Sequence, residues 1–282
     1  MLTIKNDQLT LSLLDPQKDG HLLGTRYCHG GYIWQIEDNK LGPLLSGPKS
    51  PDLPDPFDGQ GMPEAFETAL SYYPTSEGDT VLIVGVGEVL RTSGNEPFHS
   101  RWNPQIKKSC SWIIQTEHDN IIMKADQSFK GYSFTLTKKV VLTARTVTSF
   151  TEIVNLGPNP IPLKWFAHPF FPLNPDFSCC KLSLPVSIPP NPGFSLSSDE
   201  YIYMNKNFNW ESGCYRSLGI PWNRPLNVSV KHPLLNQILI NCKFSPSWLP
   251  IWANSKTFSL EPFYFQMSVP KSTASWTIEY HF

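Results

Sequence analysis

Proline is the residue that most limits what this chain can fold into. The 282 residues include 17 glycines and 27 prolines, and proline is present at about twice its usual share. A proline inside a helix removes a backbone hydrogen bond and clashes with the preceding turn. Because the prolines are spread along the chain, the sequence argues against long helices and predicts many turns joined by extended segments.

The extended segments are visible as runs in which apolar and polar residues alternate, or in which β-branched and aromatic residues dominate. The predicted strands include residues 8–13, 32–37, 81–86, 111–116, 121–126, 134–143, 146–155, 161–166, 181–188, 200–204, 226–231, 237–244, 257–260, 264–269 and 275–281. Strands that recur without intervening helices favour an all-β fold, and specifically a large antiparallel β-sandwich.

Turn signals support this organisation. Residues 118–120 and 144–145 separate neighbouring runs and predict two hairpins. Only residues 63–70 suggest a helix, and a short one. The long proline- and glycine-rich segment 41–62 is predicted to fold over a sheet edge or the mouth of a site. With no internal repeat or linker in the sequence, residues 1–282 are predicted to form one domain.

Charge and cysteine usage narrow the functional classes. The 23 basic and 24 acidic side chains give a net charge of −1, and no basic run could follow a phosphate backbone, so nucleic acid is not expected as a partner. No segment approaches the roughly 18 apolar residues of a membrane span, and the first residues lack the pattern of a secretory signal. The six cysteines are scattered, which favours reduced thiols. A soluble, cytoplasmic protein without a membrane partner is therefore expected.

Cofactor and metal signatures are not found in the sequence. Residues 85–87 read Gly-Val-Gly but lack the third glycine and the following helix of a dinucleotide fingerprint, so no nicotinamide cofactor is predicted. No two histidines have metal-ligand spacing, so no metal is required.

Two ionisable residues stand in strongly apolar surroundings. His168 lies within 165–171, which reads Trp-Phe-Ala-His-Pro-Phe-Phe, and Glu261 lies within 259–263, which reads Ser-Leu-Glu-Pro-Phe. Desolvating a lone charge is costly, so such positions are often retained for chemistry, although a single histidine of this kind is more often a hydrogen-bonded core residue. Each follows a predicted strand. An imidazole and a carboxylate facing one cleft could act as general acid and general base.

The motifs together resemble the aldose 1-epimerase, or galactose mutarotase-like, superfamily, and in particular a divergent branch of it. The resemblance is carried by residues 24–33, 61–66, 84–90, 259–263 and 275–282, in that order and spacing. It implies a large antiparallel β-sandwich, a small-molecule sugar as partner and no cofactor. It also implies His168 as general acid and Glu261 as general base in the interconversion of α and β anomers. The chain departs from the family after His168, where Pro-Phe-Phe replaces a Tyr-Phe-Asn type of segment.

Five further residues are predicted to contact a sugar, each beside a structural alternative. Arg26 could bind a hydroxyl or clamp a strand start, and Glu64 could contact ligand or cap a short helix. His99 could form a polar clamp with Arg101 or belong to a solvated loop. The remaining two are aromatic candidates for a wall of the site, although a large β core also needs such residues: Trp165 and Trp252.

Two alternative functions stay open at this point. The first is a carbohydrate-binding or sensing protein that keeps the fold and the cleft without catalysis, because fold does not determine function. The second is an epimerase of a phosphorylated hexose, which requires a cationic pocket for the phosphate. Three arginines could supply that pocket if they converge: Arg26, Arg91 and Arg101.

Overall fold

The fold consists of antiparallel β-strands. The computed structural model describes residues 1–71, 74–221 and 223–282. The first strands in chain order are β1 (Leu2–Lys5), β2 (Leu9–Leu13), β3 (Ile33–Asp38), β4 (Gly42–Pro43), β5 (Glu64–Phe66), β6 (Ala69–Leu70), β7 (Thr80–Ile83), β8 (Gly87–Leu90), β9 (Ile106–Ser109), β10 (Ile113–Thr116), β11 (Asn120–Phe129), β12 (Tyr132–Thr143) and β13 (Thr146–Asn155).

The second half of the chain continues in the same way. Its strands are β14 (Ile161–Ala167), β15 (Phe171–Pro172), β16 (Ser178–Leu182), β17 (Phe194–Leu196), β18 (Tyr201–Met204), β19 (Cys214–Leu218), β20 (Leu226–Lys231), β21 (Gln237–Cys242), β22 (Leu249–Ala253), β23 (Thr257–Leu260), β24 (Phe263–Ser268) and β25 (Thr273–His281). Within the described ranges, the helices are single 3-10 turns at Gly20–Leu22, Ser100–Trp102 and Trp210–Ser212.

The strands form one large sheet and four smaller ones within the described part of the chain. The large sheet has ten strands in the order β10-β11-β12-β13-β25-β21-β20-β16-β18-β17. The smaller sheets are β1-β2-β3-β4, β6-β7-β8-β9, β24-β14-β5 and β15-β23-β22-β19. The strand pairs in these sheets are antiparallel. The predicted all-β, antiparallel class is therefore confirmed.

The central hairpins show why the sequence forms these strands. Alternate residues of β12 are buried, so one face of the strand lies on the core and the other does not. The turn between β11 and β12 consists of Lys130 and Gly131, which both have positive φ, at 44° and 89°. A two-residue turn of that hand matches the twist of the flanking strands. The predicted turns at 118–120 and 144–145 both lie between paired strands, and the prediction of two hairpins is confirmed.

The predicted short helix at 63–70 is wrong. Residues of this segment form β5 and β6 instead, and β5 pairs with β14, where Ala167 lies opposite Glu64 and Trp165 lies opposite Phe66. All three residues of β5 are buried. Tertiary pairing therefore overrides the local pattern, because a helix here would leave the edge of β14 without its partner.

The end of segment 41–62 packs on two buried tyrosines and reaches a cavity, and a site mouth is one of the two places that the sequence predicts for it. The Tyr27 hydroxyl donates to the Asp58 carbonyl at 3.2 Å, and the Gln60 N–H donates to the Tyr32 hydroxyl at 3.2 Å. Both tyrosine rings are buried, with exposures of 1% and 2%. Two core tyrosines thus fix the end of the segment, and this places Phe57 and Asp58 beside the cavity described below.

Candidate active site

His168 and Glu261 come into direct contact although they lie far apart in the sequence. Nε2 of His168 lies 3.2 Å from Oε1 of Glu261. His168 follows β14, and its backbone N–H donates to the Pro63 carbonyl at 2.8 Å. Glu261 follows β23, and its N–H donates to the Pro250 carbonyl at 2.9 Å. Neighbouring strands therefore hold both backbones, and the two side chains meet where the strands end.

Burial decides the protonation of this pair. The two residues have exposures of 3% and 4%. Desolvation raises the pKa of Glu261 to about 8, and the nearby positive charge of Arg26 only partly opposes this shift. Desolvation, together with the same arginine, lowers the pKa of His168 well below its usual value. At neutral pH the pair therefore holds one proton, carried by the carboxyl group and shared with a neutral imidazole.

The other ring nitrogen of the histidine is also unusual. Nδ1 of His168 is buried and has no hydrogen-bond partner within the described ranges. Its ring lies against aromatic neighbours, with centroid distances of 4.4 Å to Phe170 and 6.1 Å to Tyr27. A buried polar atom without a partner is costly, and such costs concentrate at functional sites.

The pair opens into a cavity of about 390 Å³, which lies within the range typical of small-molecule sites. Its walls are largely aromatic, and charged groups stand at a few places on them. The lining includes Arg26, Pro48, Phe57, Asp58, Glu67, His99, Arg101, Phe166, His168, Phe170, Tyr215, Trp252, Glu261 and Phe263. Four other predicted site residues share this cavity with Glu261: Arg26, His99, His168 and Trp252. Arg101, considered above for phosphate binding, also lines it.

The positive charge of Arg26 acts on both catalytic candidates, because it lowers the pKa of His168 and that of Glu261. Its guanidinium lies over the rings of Tyr27 and Phe57, at 4.8 Å and 4.7 Å from their centroids. One of its nitrogens donates to the Phe57 carbonyl at 3.3 Å. A guanidinium has five N–H donors, so the stacked group retains donors for a ligand.

His99 and the end of segment 41–62 form the rim of the cavity. The His99 ring lies 5.9 Å from the Phe57 ring, and Nδ1 of His99 accepts from the Arg101 N–H at 3.2 Å. The Arg101 guanidinium lies over the Phe57 ring, 4.0 Å from its centroid, and pairs with Asp58 at 3.4 Å. These contacts place His99 and Arg101 together at the mouth, where both residues are exposed.

Trp252 and Trp165 have different surroundings. Trp252 lines the cavity, and its ring lies edge-on to His168 with 6.0 Å between the centroids. Trp165 is 1% exposed and packs in the core against Trp276 at 5.3 Å. The expectation that Trp165 forms a wall of the site is therefore corrected: along β14, Phe166 faces the cavity, and the neighbouring Trp165 points to the opposite face.

Glu64 is also not a cavity residue. Its carboxylate forms an ion pair with the fully buried Lys138 and accepts hydrogen bonds from Ser149 at 2.5 Å and from Nε1 of Trp165 at 3.1 Å. Thr151 completes this group, which we call the core ion cluster: Glu64, Lys138, Ser149, Thr151 and Trp165. Both roles considered for Glu64, ligand contact and helix cap, are corrected, because Glu64 lies in strand β5, is 7% exposed and does not line the cavity.

The three arginines considered for phosphate binding do not converge. Arg91 is 1% exposed and donates to Thr75, Glu96 and the carbonyls of Ser93 and Asn95. It does not line the cavity. Arg26 and Arg101 do, but the second of these already faces a carboxylate.

Sequence reasoning missed Glu67 and Tyr215, which both line the cavity. Glu67 is half-exposed and pairs with Lys164 at 2.6 Å. Tyr215 stands on β19 and is 39% exposed. Neither lies in an apolar stretch or a motif, so only the pairing of distant strands reveals them.

Metal, thiol and membrane features of the described ranges add no further site. No group of three His, Cys, Asp or Glu side chains there is placed to hold a metal ion. The six cysteines are free. No helix found there is long and apolar enough to cross a membrane.

Comparison with known proteins identifies the fold. No family model and no curated protein sequence matches this chain. Among solved structures, the chain is similar to a galactose mutarotase related enzyme from Lactobacillus acidophilus, with a TM-score of 0.62, 11% identity and coverage of 99% of this chain and 96% of that one.

Two further structures give the same result. A crystal structure of a putative aldose 1-epimerase from Escherichia coli K12 matches with a TM-score of 0.59 and 13% identity, covering 99% of this chain and 97% of that one. A galactose mutarotase-like protein from Lactobacillus casei ATCC 334 matches with a TM-score of 0.58 and 12% identity, covering 100% and 99%. The chain therefore has the galactose mutarotase-like β-sandwich fold, as the sequence motifs indicate.

Proposed function

We propose that this protein interconverts the α and β anomers of an aldose, with His168 and Glu261 as the proton-transfer groups and no cofactor. The observation that carries the proposal is the 3.2 Å contact between His168 Nε2 and Glu261 Oε1 in an aromatic-lined cavity. The likeness in fold to proteins named as mutarotase-related or as putative aldose 1-epimerases agrees with this function.

The closeness of the two groups fits the chemistry of an anomeric centre. Opening a pyranose removes the proton from the C1 hydroxyl and adds a proton to the ring oxygen. Both oxygens are bonded to the same carbon, so the base and the acid that serve them must be neighbours. A carboxyl group and an imidazole in direct contact can therefore face both oxygens from one side of the sugar.

The reaction begins from the ionised form of the pair. Glu261 accepts the proton of the C1 hydroxyl while His168 donates its Nε2 proton to the ring oxygen. The C1–O bond of the ring breaks as the C1 carbonyl forms, C1 turns about its bond to C2, and closure on the other face reverses both transfers. Each positioned proton transfer contributes about 10²- to 10⁴-fold to the rate.

The environment of the pair supports this cycle. Ring opening leaves Glu261 protonated and His168 neutral, which is the form that burial favours. The ionised form needed at the start differs only by one proton moved between two atoms 3.2 Å apart. The pair can therefore reset internally, and its total proton count does not change during turnover.

The other cavity residues have binding roles in this proposal. Arg26 donates to sugar hydroxyls with the N–H groups that its internal bond leaves available. Trp252 and Phe170 present rings to the apolar face of a sugar, and His99 stands at the mouth. Because Arg91 points elsewhere and Arg101 already pairs with Asp58, the cavity favours an unphosphorylated sugar.

The test is anomer exchange measured by NMR. A panel of aldoses is mixed with a small molar fraction of protein, and magnetisation exchange between the α and β anomeric protons is followed with protein concentration. We expect exchange to accelerate in proportion to the protein for at least one sugar. Ligand saturation-transfer spectra on the same samples report binding independently.

The same experiment separates catalysis from binding. Saturable binding without faster exchange would identify a carbohydrate-binding protein on this fold and refute the proposed reaction. Neither binding nor exchange with any aldose would refute the proposal as well.

A further inference from the structure

A second chamber, which we call the side chamber, adjoins the cavity that contains His168 and Glu261. Its volume is about 560 Å³, against about 390 Å³ for the catalytic cavity. Five residues line both spaces and form the border between them: Arg26, Glu67, His99, Phe166 and Tyr215. A ligand held at the catalytic pair can therefore extend past these residues into a space larger than the one that holds its reacting end.

The walls of the side chamber combine aromatic surface with two ion pairs, and Arg26 lies at its border with the catalytic cavity. Trp248 and Phe98 are half-buried, and Tyr215 is 39% exposed. The rings of Trp248 and Tyr215 meet edge to face at 6.0 Å, and Nε1 of Trp248 donates to the Ser217 hydroxyl at 2.6 Å. This hydrogen bond fixes the indole, so its flat face is held in place before any ligand arrives.

The charges in the chamber favour a neutral ligand. Lys164 pairs with Glu67 at 2.6 Å, and Glu96 pairs with Arg91 at 2.5 Å. An anion entering here would meet two carboxylates, and the lysine is already engaged. Half-exposed ion pairs can instead donate to and accept from hydroxyl groups, while aromatic faces cover the C–H faces of a pyranose.

We propose that the substrate is a reducing disaccharide, or a longer reducing oligosaccharide, whose second sugar unit occupies the side chamber. The reducing-end ring lies at His168 and Glu261, and the next ring lies against Trp248 with its hydroxyls at Glu67 and Lys164. This inference rests on the proposed anomerase function. It adds that binding remote from C1 contributes to turnover of the reducing end.

The test compares each monosaccharide with disaccharides that share its reducing end. Anomer exchange is measured by NMR for glucose against maltose, cellobiose and lactose, and kcat/KM is obtained from the concentration dependence. We expect at least one disaccharide to exceed glucose in kcat/KM by about 10-fold. The variant Trp248→Ala should lower this ratio to near one, whereas Trp248→Phe, which keeps a flat apolar face, should retain most of it.

The outcomes distinguish this inference from the function on which it rests. Accelerated exchange for glucose, with every disaccharide equal or slower, overturns the extended substrate and leaves the anomerase function standing. Absence of acceleration for mono- and disaccharides alike overturns both. A disaccharide preference that survives Trp248→Ala in a folded variant overturns the placement of the second sugar in the side chamber. The comparison of wild-type kcat/KM values needs no variant, so poor folding of Trp248→Ala leaves the main test intact.

Discussion

Lys138 is predicted to be indispensable for stability at neutral pH, because it neutralises the buried carboxylate of Glu64. Lys138 is 1% exposed, and Glu64 is 7% exposed. Lys138→Met keeps an apolar side chain of similar length but removes the charge. The Glu64 carboxylate keeps its hydrogen bonds from Ser149 and Trp165 but loses its cation. Removing one partner of a buried ion pair costs about 3 to 5 kcal/mol.

The loss arises because the abandoned carboxylate stays buried without a counter-charge. Its remaining donors, Ser149 and Trp165, are neutral and cannot replace the ammonium group.

Urea unfolding followed by circular dichroism at pH 7 measures this effect as a change in the free energy of unfolding. The matched control is the double variant Glu64→Gln with Lys138→Met, which buries no charge and should lose only about 1 to 2 kcal/mol, because an amide cannot accept from every donor of the core ion cluster. A loss below about 1 kcal/mol for Lys138→Met, or a loss no larger than that of the double variant, would refute the reasoning.

Three further predictions concern the cavity. The kcat/KM for anomer exchange should be level through neutral pH and fall above about pH 8, where Glu261 loses its proton. The decline on the acid side should lie well below the usual pH range of histidine titration. A decline centred near pH 6.5 would contradict this assignment. Arg26→Met should weaken sugar binding by about 10- to 100-fold and move the alkaline limb to higher pH, since removing the positive charge raises the pKa of Glu261 further; an unmoved limb in the pH–rate profile would argue against this. Trp252→Leu should raise KM by about 2- to 10-fold with kcat nearly unchanged, and steady-state kinetics showing a loss confined to kcat would exclude a role in uniform binding.

The long strands could be predicted because their sequence periods coincide with their burial. The run at 146–155 matches β13, and the run at 134–143 lies within β12. In each case alternation or β-branching reflects a strand whose face packs on the core. Short strands such as β5 lack a period of their own, and β5 exists because β14 offers it an edge. Pairing of this kind depends on residues about a hundred positions away and leaves no local signal.

The residues of the candidate site also differ in whether the sequence alone reveals them. His168 and Glu261 were detectable because each interrupts an apolar stretch with one ionisable group, and desolvation makes such interruptions costly. Lys138 carries a comparable signal, since it occupies the buried face of β12 and so requires an anionic partner, but the sequence does not say that the partner is Glu64. Glu67 and Tyr215 have ordinary surroundings in the sequence and reach the cavity only through tertiary structure.

The substitution Glu261→Gln tests the central claim most directly. The amide keeps the shape of the side chain but cannot accept the proton of the C1 hydroxyl. Wild type and variant are compared by NMR anomer exchange on the best aldose, with saturation-transfer binding and urea unfolding on the same preparations. Glu67→Gln makes the same chemical change in the same cavity without removing either group of the proposed proton-transfer pair, and serves as the control.

The account predicts that Glu261→Gln lowers kcat at least about 100-fold while binding and the unfolding midpoint stay near wild type, and that Glu67→Gln loses less than about 10-fold. Wild-type exchange rates in Glu261→Gln would contradict the account, because the 3.2 Å pair with His168 would then have no part in proton transfer.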